Sequence, residues 1–391
     1  MFSAGRVQIW QDAGMLRLSR PGAEVAGAQI SPISEAKNLM IQMNFRPIVH
    51  VAALTVCGGI INFGGLVCAC VQQEGAKDTS VATIGVVPGT GQVATKVGDD
   101  FEDPNWTCEL NLPKSSFEED NQKREPGALI SNRRWYEGAK RGIPDVVQRV
   151  ATPENGLEGS EGALLLRSLQ TGVPGRLSHK NQQDDFVCDV DSRLGGMLPV
   201  SQSPSVVVRV FLPEFDQWQV RQGAHFGFRT SLTTTKLVSQ PSGRGRFATN
   251  RTVREQEQYW PGMFADFTPA QVSTSGKDEF QWRIRSNPRG YDFHGKAISQ
   301  AGWWTLGISI TPDGRVHYYA KPGVQDLTAA DHIVSQTPYS YRAEYFKTFF
   351  FNVINGDDGK NWSTPIIIDD PTLYFIAPQQ ATAGQANPVN R

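Results

Sequence analysis

The chain reads as an all-β protein, a two-sheet antiparallel sandwich or jelly roll, and three observations lead there. Short runs of alternating apolar and polar residues recur along most of its length. Gly, Pro, Asn and Asp clusters separate them, and amphipathic helical periodicity is nearly absent. No repeat of fixed period appears, which argues against a propeller or solenoid.

The N-terminal part is different. Between Arg46 and Glu74 lie 27 residues without Asp, Glu, Lys or Arg. Read from Met43, the stretch has a short basic start, an apolar middle and small residues Val67 and Ala69 before Cys70, the three parts of an export signal. Residues 1–42 are then expected to be upstream sequence and residues 43–69 a signal peptide. The tetrapeptide Val67-Cys68-Ala69-Cys70 also resembles a bacterial lipobox, with Cys70 as lipidation site. An uncleaved membrane anchor is the third reading, since about 20 apolar residues span a bilayer. The protein is accordingly expected outside the cytoplasm: extracellular, periplasmic or at the cell surface.

Residues 70–98, rich in Gly, Thr, Val and Ala, read as a flexible linker, and 99–376 as the sandwich. Asp145–Val150 fits either a short helix or a strand. Ser205–Leu212 is a continuous apolar run, as in a strand covered on both faces. Phe280-Gln-Trp282-Arg-Ile284-Arg285 alternates without a break, with its aromatic phase inward. Trp304, Leu306, Ile308 and Ile310 repeat the pattern, Pro312-Asp313-Gly314 turns the chain, and Val316-His-Tyr318 returns it as a hairpin. Phe349–Val353 and Pro365–Ile368 supply the last strands, and residues 377–391 read as a disordered tail.

Charge and cysteines bound the function. A net charge of −1 and a pI near 6.6 leave no electrostatic footprint for nucleic acid, and the membrane enters only through the signal or a Cys70 lipid. The one basic cluster, Arg244, Arg246, Arg251 and Arg254, lies among Gly, Ser, Thr and Asn and reads as a solvated loop. Of five cysteines, three (Cys57, Cys68 and Cys70) fall inside or at the end of the signal. Cys108 and Cys188 sit on apolar phases, where they form either a disulfide or two buried thiols. Nucleophile elbows, Walker loops, zinc-type His pairs and Cys-x-x-Cys motifs are absent from residues 71–391.

The order of landmarks adds a resemblance. Asp100-Phe-Glu102-Asp103-Pro-Asn-Trp106 opens the domain, Gly159-Ser-Glu-Gly162 follows, Trp304 to Tyr319 forms the middle, and Ile367-Ile-Asp369-Asp370-Pro-Thr-Leu373-Tyr374 closes it. This layout resembles the concanavalin A-like (laminin-G-type) β-sandwiches and carbohydrate-binding jelly rolls of exported bacterial proteins. Such folds host lectins, lyases, hydrolases and adhesion modules alike. The resemblance implies neighbouring first and last strands joined by a structural Ca²⁺, for which Glu102, Asp103, Asp369 and Asp370 are the candidate ligands.

Two further stretches bear on activity. Glu214, Asp216 and Gln219 are similar to the paired acids of sandwich glucanases, with Gln219 standing where a second carboxyl is needed. Tyr345-Phe-Lys347 resembles a strand of alginate-lyase-type jelly rolls, and Arg209, His225, Tyr345 and Lys347 follow that family's order. The resemblance implies neutralisation of a uronate carboxylate and removal of the C5 proton. Trp218, Trp260, Trp303 and Trp362 are candidate sugar-stacking residues, since indole faces pack under sugar C–H surfaces. The expectation is therefore an exported β-sandwich whose partner is a carbohydrate or cell-surface glycan. The alternatives are a polysaccharide lyase acting on uronate-containing glycans and a structural surface module.

Overall fold

The computed structural model describes residues 87–377, apart from 123, 125–126 and 243–248. These fall in the second of the chain's two compact units, Gly75–Arg391. The upstream segment, the signal, Cys70 and nearly all of the tail lie outside the described residues.

Three short strands come first: β1 (Gln92–Val93), β2 (Cys108–Glu109) and β3 (Leu129–Ile130), with the one-turn helix α1 (Phe117–Asp120) between the last two. Then follow β4 (Trp135–Glu137), β5 (Val146–Ala151), β6 (Gly162–Arg167) and β7 (Gln182–Cys188). After α2 (Asp191–Leu194) and β8 (Leu198–Pro199) come β9 (Ser205–Leu212), β10 (Gly223–Ser242), β11 (Thr249–Tyr259), β12 (Gly262–Thr268), β13 (Glu279–Arg285) and β14 (Phe293–Ala297). The chain finishes with β15 (Gly302–Ile310), β16 (Val316–Pro322), β17 (His332–Gln336), β18 (Tyr345–Asn355) and β19 (Ile366–Phe375).

Two antiparallel sheets result. The first runs β17-β16-β15-β9-β19-β6-β5, with β1 added to β19. The second runs β14-β13-β12-β10-β18-β7-β4, with β11 beside β10 and β8 beside β18. The expected two-sheet sandwich is what forms. Strand β13 alternates between buried and half-buried residues along its whole length, β15 and β16 make the hairpin around Gly314 (φ +79°), and the ambiguous 145–150 run is strand β5.

The two sheets meet over an aromatic core. Trp282 of β13 packs edge-on to Trp304 of β15 across the interface, with centroids 5.8 Å apart. Trp135 stacks on Phe186 at 4.5 Å, and Phe226, Phe228, Phe346, Phe349 and Phe351 are all fully buried. Each such side chain contributes about 1.5–3 kcal/mol by leaving water.

The linker boundary is corrected. Residues 92–98 are part of the sandwich: β1 pairs with Tyr374 and Phe375, and Ala94 and Val97 are buried in the core. Gly98 (φ +78°) lies so close to β19 that a Cβ there would meet the Pro371 carbonyl oxygen at 1.9 Å. Of the two readings open for the cysteines, the structure has the free thiols. Cys108 sits in the small β2–β3 ribbon and Cys188 at the end of β7, both as free thiols. Burial pushes the Cys108 thiol up to about 12 and raises that of Cys188 as well.

The domain's opening segment is pinned by polar groups. Asp99 accepts from the indole N–H groups of Trp106 (2.9 Å) and Trp135 (3.2 Å). Lys114, 5% exposed, donates to Asp145 (2.9 Å), Asp184 (2.8 Å) and the Gln170 carbonyl (2.7 Å), tying the loop before α1 to β5 and β7. Two carboxylates hold this ammonium charged against the cost of its burial. Lys114→Met leaves the fully buried Asp184 without its counter-charge. The expected loss is roughly 3–5 kcal/mol of unfolding free energy in urea titration, and a change under ~1 kcal/mol would refute the role given to Lys114.

Candidate functional site

The outer face of the second sheet carries an ordered polar cluster. Antiparallel register sets Asp185 (β7), Asn352 (β18), Gly227 (β10), Phe264 (β12), Arg283 (β13) and His294 (β14) in one row across six strands. Because side chains alternate along a strand, the next row on this face is Val187, Phe350, Arg229, Gly262 and Arg285. Glycine at 227 makes the packing fit, since a Cβ would meet the Phe264 ring at 2.7 Å and the Asn352 amide oxygen at 2.8 Å.

Three guanidinium groups gather over the ring of Phe264: Arg229 at 5.6 Å, Arg283 at 5.6 Å and Arg285 at 5.5 Å from its centroid. Each lies within the range where the ring's quadrupole attracts a cation. Arg229 is the floor of the cluster. It is 7% exposed, donates to the Trp260 carbonyl (2.9 Å) and lies 5.1 Å from the Phe350 centroid, with its remaining contact to Asn352 at 3.5 Å. Burial, then repulsion from Arg285, lowers it to about 10. The Asn352 amide donates to Asp185 at 2.6 Å, and burial raises that carboxyl.

Above this floor the arginines are partly solvated. Arg283 pairs with Asp266 at 3.2 Å and Arg285 with Asp292 at 3.3 Å. The Asp266 contact is an ion pair through its buried Oδ2, and Arg283 Nε lies 3.9 Å from Asp292, so Arg283 is held by two carboxylates. The cluster opens into a groove of about 310 Å³. Phe264 and Ile354 give it an apolar base, and Arg141, Arg283 and Arg285 a basic side. Asn181, Gln182, Gln183 and Glu119 supply amide and carboxylate groups opposite. Such a lining can hold a carboxylate on the guanidinium forks while amides and carboxylates take hydroxyl groups.

The residues singled out from sequence lie mostly elsewhere. Arg209 is on the outer face of the first sheet, bound to Asp326 (2.7 Å) and Asp370 (3.3 Å). His225 is fully buried against Trp218, its Nδ1 2.7 Å from the Thr364 hydroxyl and its Nε2 3.3 Å from the Arg221 carbonyl. Burial holds its imidazole well below the usual histidine range. Tyr345 and Lys347 start β18, at the end of the second sheet where Tyr345 faces Pro199 and Thr233. The structure therefore does not converge Arg209, His225, Tyr345 and Lys347 on one site.

Of the tryptophans, Trp218 is core and 3% exposed. Trp303 points outward as expected, but is 4% exposed, with its indole N–H donating to the Glu154 carbonyl at 3.1 Å. Trp362 is half-buried beneath Arg167. Trp260 alone borders the cluster, holding Arg229 through its carbonyl and carrying Lys140 4.5 Å from its ring centroid. Arg229, Arg283, Arg285 and Asn352 are not among the sequence candidates; the only local signal for any of them is the outward phase of the 280–285 alternation, which carries Arg283 and Arg285.

The four acids named for calcium do not form its site. Glu102 and Asp369 do come together, joined by Ser160, whose hydroxyl lies 3.0 Å from both. Glu102, however, faces the N–H groups of Glu161 (3.1 Å) and Gly162 (3.2 Å), donors that repel a cation. Asp103 caps its own turn at Asn105 N–H (2.8 Å), and Asp370 is paired with Arg209. Calcium needs six to eight oxygens. Among the described residues no group of three or more His, Cys, Asp or Glu is placed to hold a metal ion.

No family model matches the chain, and no curated relative matches it. Among solved structures it is similar to the binding domain of Paraclostridial Mosquitocidal Protein 1, at 10% identity and TM-score 0.29, covering 64% of this chain and 47% of that one. The chain thus spans about half of that structure's length. It is also similar to alginate lyase A1-II' of polysaccharide lyase family 7 (12% identity, TM-score 0.28, 57% of this chain and 82% of that one). A third likeness is to a GH131 β-glucanase catalytic domain from Podospora anserina (8% identity, TM-score 0.34, 58% and 78%). At these TM-scores the likenesses carry no argument about activity.

The Ser160 bridge has a pH signature. Burial, together with neighbouring Asp370 and Glu102, pushes the Asp369 carboxyl up to about 7 from 3.8. The unfolded chain ionises this group first, so stability falls as pH rises from about 4 to about 7 and levels off above. Asp369→Asn is expected to remove this part of the pH dependence in denaturation series run from pH 4 to 8. An unchanged slope would refute the assignment.

Proposed function

We propose that the outer face of the second sheet binds carbohydrate that carries carboxylate groups, a polyuronate chain above all, and that the protein is an exported recognition module. The observation that carries this reading is the convergence of Arg229, Arg283 and Arg285 on the single ring of Phe264, at the base of an amide-lined groove. Guanidinium forks match carboxylates in bidentate geometry, which a neutral sugar does not offer. Buried Arg229, held by Trp260 and Asn352, sets the potential of the floor, and the half-exposed Arg283 and Arg285 are free to swing between Asp266 or Asp292 and a ligand. Export, the expectation for residues 43–69, is consistent with such a partner.

Isothermal titration with a soluble polyuronate and with a neutral glucan tests this. The Arg283→Ala/Arg285→Ala variant is expected to lose about tenfold or more in affinity for the polyuronate, each charge-assisted contact being worth roughly 1.5–3 kcal/mol. Binding should also weaken with added salt, because exposed charges are screened. Equal affinity for the neutral glucan, or unchanged affinity in the variant, would overturn the proposal. Ultraviolet-absorbing unsaturated product in the same mixtures would show lyase chemistry instead of binding alone. Neither binding nor product would leave a structural surface module.

A further inference from the structure

At the far edge of the first sheet, five side chains form a hydrogen-bond chain with a single direction. Asp313 Oδ1 accepts from the Thr311 hydroxyl at 2.5 Å, Thr311 Oγ1 lies 2.8 Å from His317 Nε2, His317 Nδ1 lies 2.6 Å from Ser335 Oγ, and Ser335 Oγ lies 2.8 Å from His332 Nε2. An ionised carboxylate can only accept, so the one hydroxyl proton of Thr311 goes to Asp313. Thr311 must then accept from His317 Nε2–H, which leaves His317 Nδ1 bare. The Ser335 proton is therefore aimed at a bare imidazole nitrogen, and Ser335 Oγ accepts in turn from His332 Nε2–H. Asp313 is held below the usual carboxylate range by the Thr311 and Arg315 N–H bonds, despite the opposing effect of partial burial, which keeps the direction fixed at neutral pH.

The backbone builds this alignment. His317 and Ser335 face each other across β16 and β17. Tyr318 pairs with Val334 and Tyr319 with His332, so Ile333 is an extra residue in β17. In a regular strand His332 and Ser335, three residues apart, would point to opposite faces. The bulge re-aims His332 onto the face of Ser335. His317 is 8% exposed and Ser335 half-buried, so the base is more shielded than the serine it faces. Burial, with His332 opposite, brings the His317 imidazole down to about 4, which leaves it neutral at pH 7 with Nδ1 unprotonated.

We infer that Ser335 is a nucleophile activated by His317, acting on small acyl esters at an open sheet edge. Ser335 Oγ bonds to the ester carbonyl carbon as its proton passes to His317 Nδ1. His332 Nε2–H, released from Ser335 Oγ, is the donor within reach of the carbonyl oxygen that gains charge. Collapse of the tetrahedral species breaks the carbon–alkoxy bond, and the leaving alcohol takes the proton from His317. Water, deprotonated by the same nitrogen, then adds to the acyl-serine; the acyl–Oγ bond breaks, His317 returns the proton to Ser335 Oγ, and the carboxylic acid is freed. Thr311 and Asp313 are positioning residues, which fix the imidazole tautomer without touching the ester.

A fluorophosphonate probe reads the first half of this cycle, since the Ser335 Oγ–P bond forms as fluoride leaves and the proton goes to His317. Peptide mass spectrometry of the full chain after labelling is expected to place the adduct on Ser335, with none in Ser335→Ala. His317→Gln and Thr311→Val should slow labelling by about a hundredfold and tenfold, in line with the loss of a general base and of its orienting partner. Their unfolding midpoints are compared with the parent to confirm that they fold. The rate in the parent should fall as pH drops through about 4, where His317 protonates. No adduct on Ser335, labelling no faster than at exposed serines, or an unchanged rate in folded His317→Gln would each overturn the inference.

Discussion

The register of β10 is the constraint on which most of the molecule depends. It pairs with β12 on one side and β18 on the other over residues 226–229, so its two phases are fixed from both edges. One phase sends Phe226, Phe228 and Leu232 into the core at zero exposure, and the other sends Gly227 and Arg229 outward. A slip of one residue would exchange these sets, burying a guanidinium between the sheets and exposing three large apolar side chains. The core therefore selects the register, and the register places Arg229 under Phe264. Fold and candidate site are one decision of the sequence.

Keeping Arg229 at 7% exposure costs desolvation, and the surroundings offset it in several small ways. Trp260 supplies a carbonyl, Asn352 an amide oxygen, and Phe264 and Phe350 their ring faces. None of these is an anion in direct contact with it. Asp185 is one step removed, reaching the cluster through the Asn352 amide. A cation held by neutral dipoles keeps more of its field available to an incoming anion than one already locked to a carboxylate. That separates Arg229 from Lys114, which two carboxylates neutralise and which serves only to fasten the domain's opening segment.

How much of this was legible follows from the range of the interactions. Periodicity is local, so the 280–285 strand, the hairpin at Asp313-Gly314, the two-sided burial of β9 and the inward phase of β15 could be read directly. The row from Asp185 to His294 joins residues far apart in the chain through pairings across six strands, and no local pattern announces it. Chain order misled in the same way. Arg209 and His225 are close in sequence, yet one lies on β9 in the first sheet and the other on β10 in the second, because the chain crosses the sandwich between them. The calcium expectation put residues 102 and 369 together, as they are, but the N–H groups of Glu161 and Gly162 occupy the Glu102 carboxylate.

Bulges account for the part that periodicity reads wrongly. His225 is the extra residue between the Ala224–Asp266 and Phe226–Ala265 pairs, and the bulge turns its ring inward onto Trp218 and Thr364, where it serves packing. Ile333 is the extra residue in β17, and that bulge turns His332 outward onto Ser335. The same device thus removes one histidine from solvent and brings another to a hydroxyl. Counting residues along either strand would have assigned both rings to the wrong face. What distinguishes a structural histidine from a reactive one here is which neighbour closes its second nitrogen. The Arg221 backbone carbonyl accepts from His225 Nε2–H and Thr364 then spends its hydroxyl proton on Nδ1, a closed arrangement within the core. The Thr311–Asp313 pair fixes the opposite polarity at His317, and its bare nitrogen faces a half-buried serine.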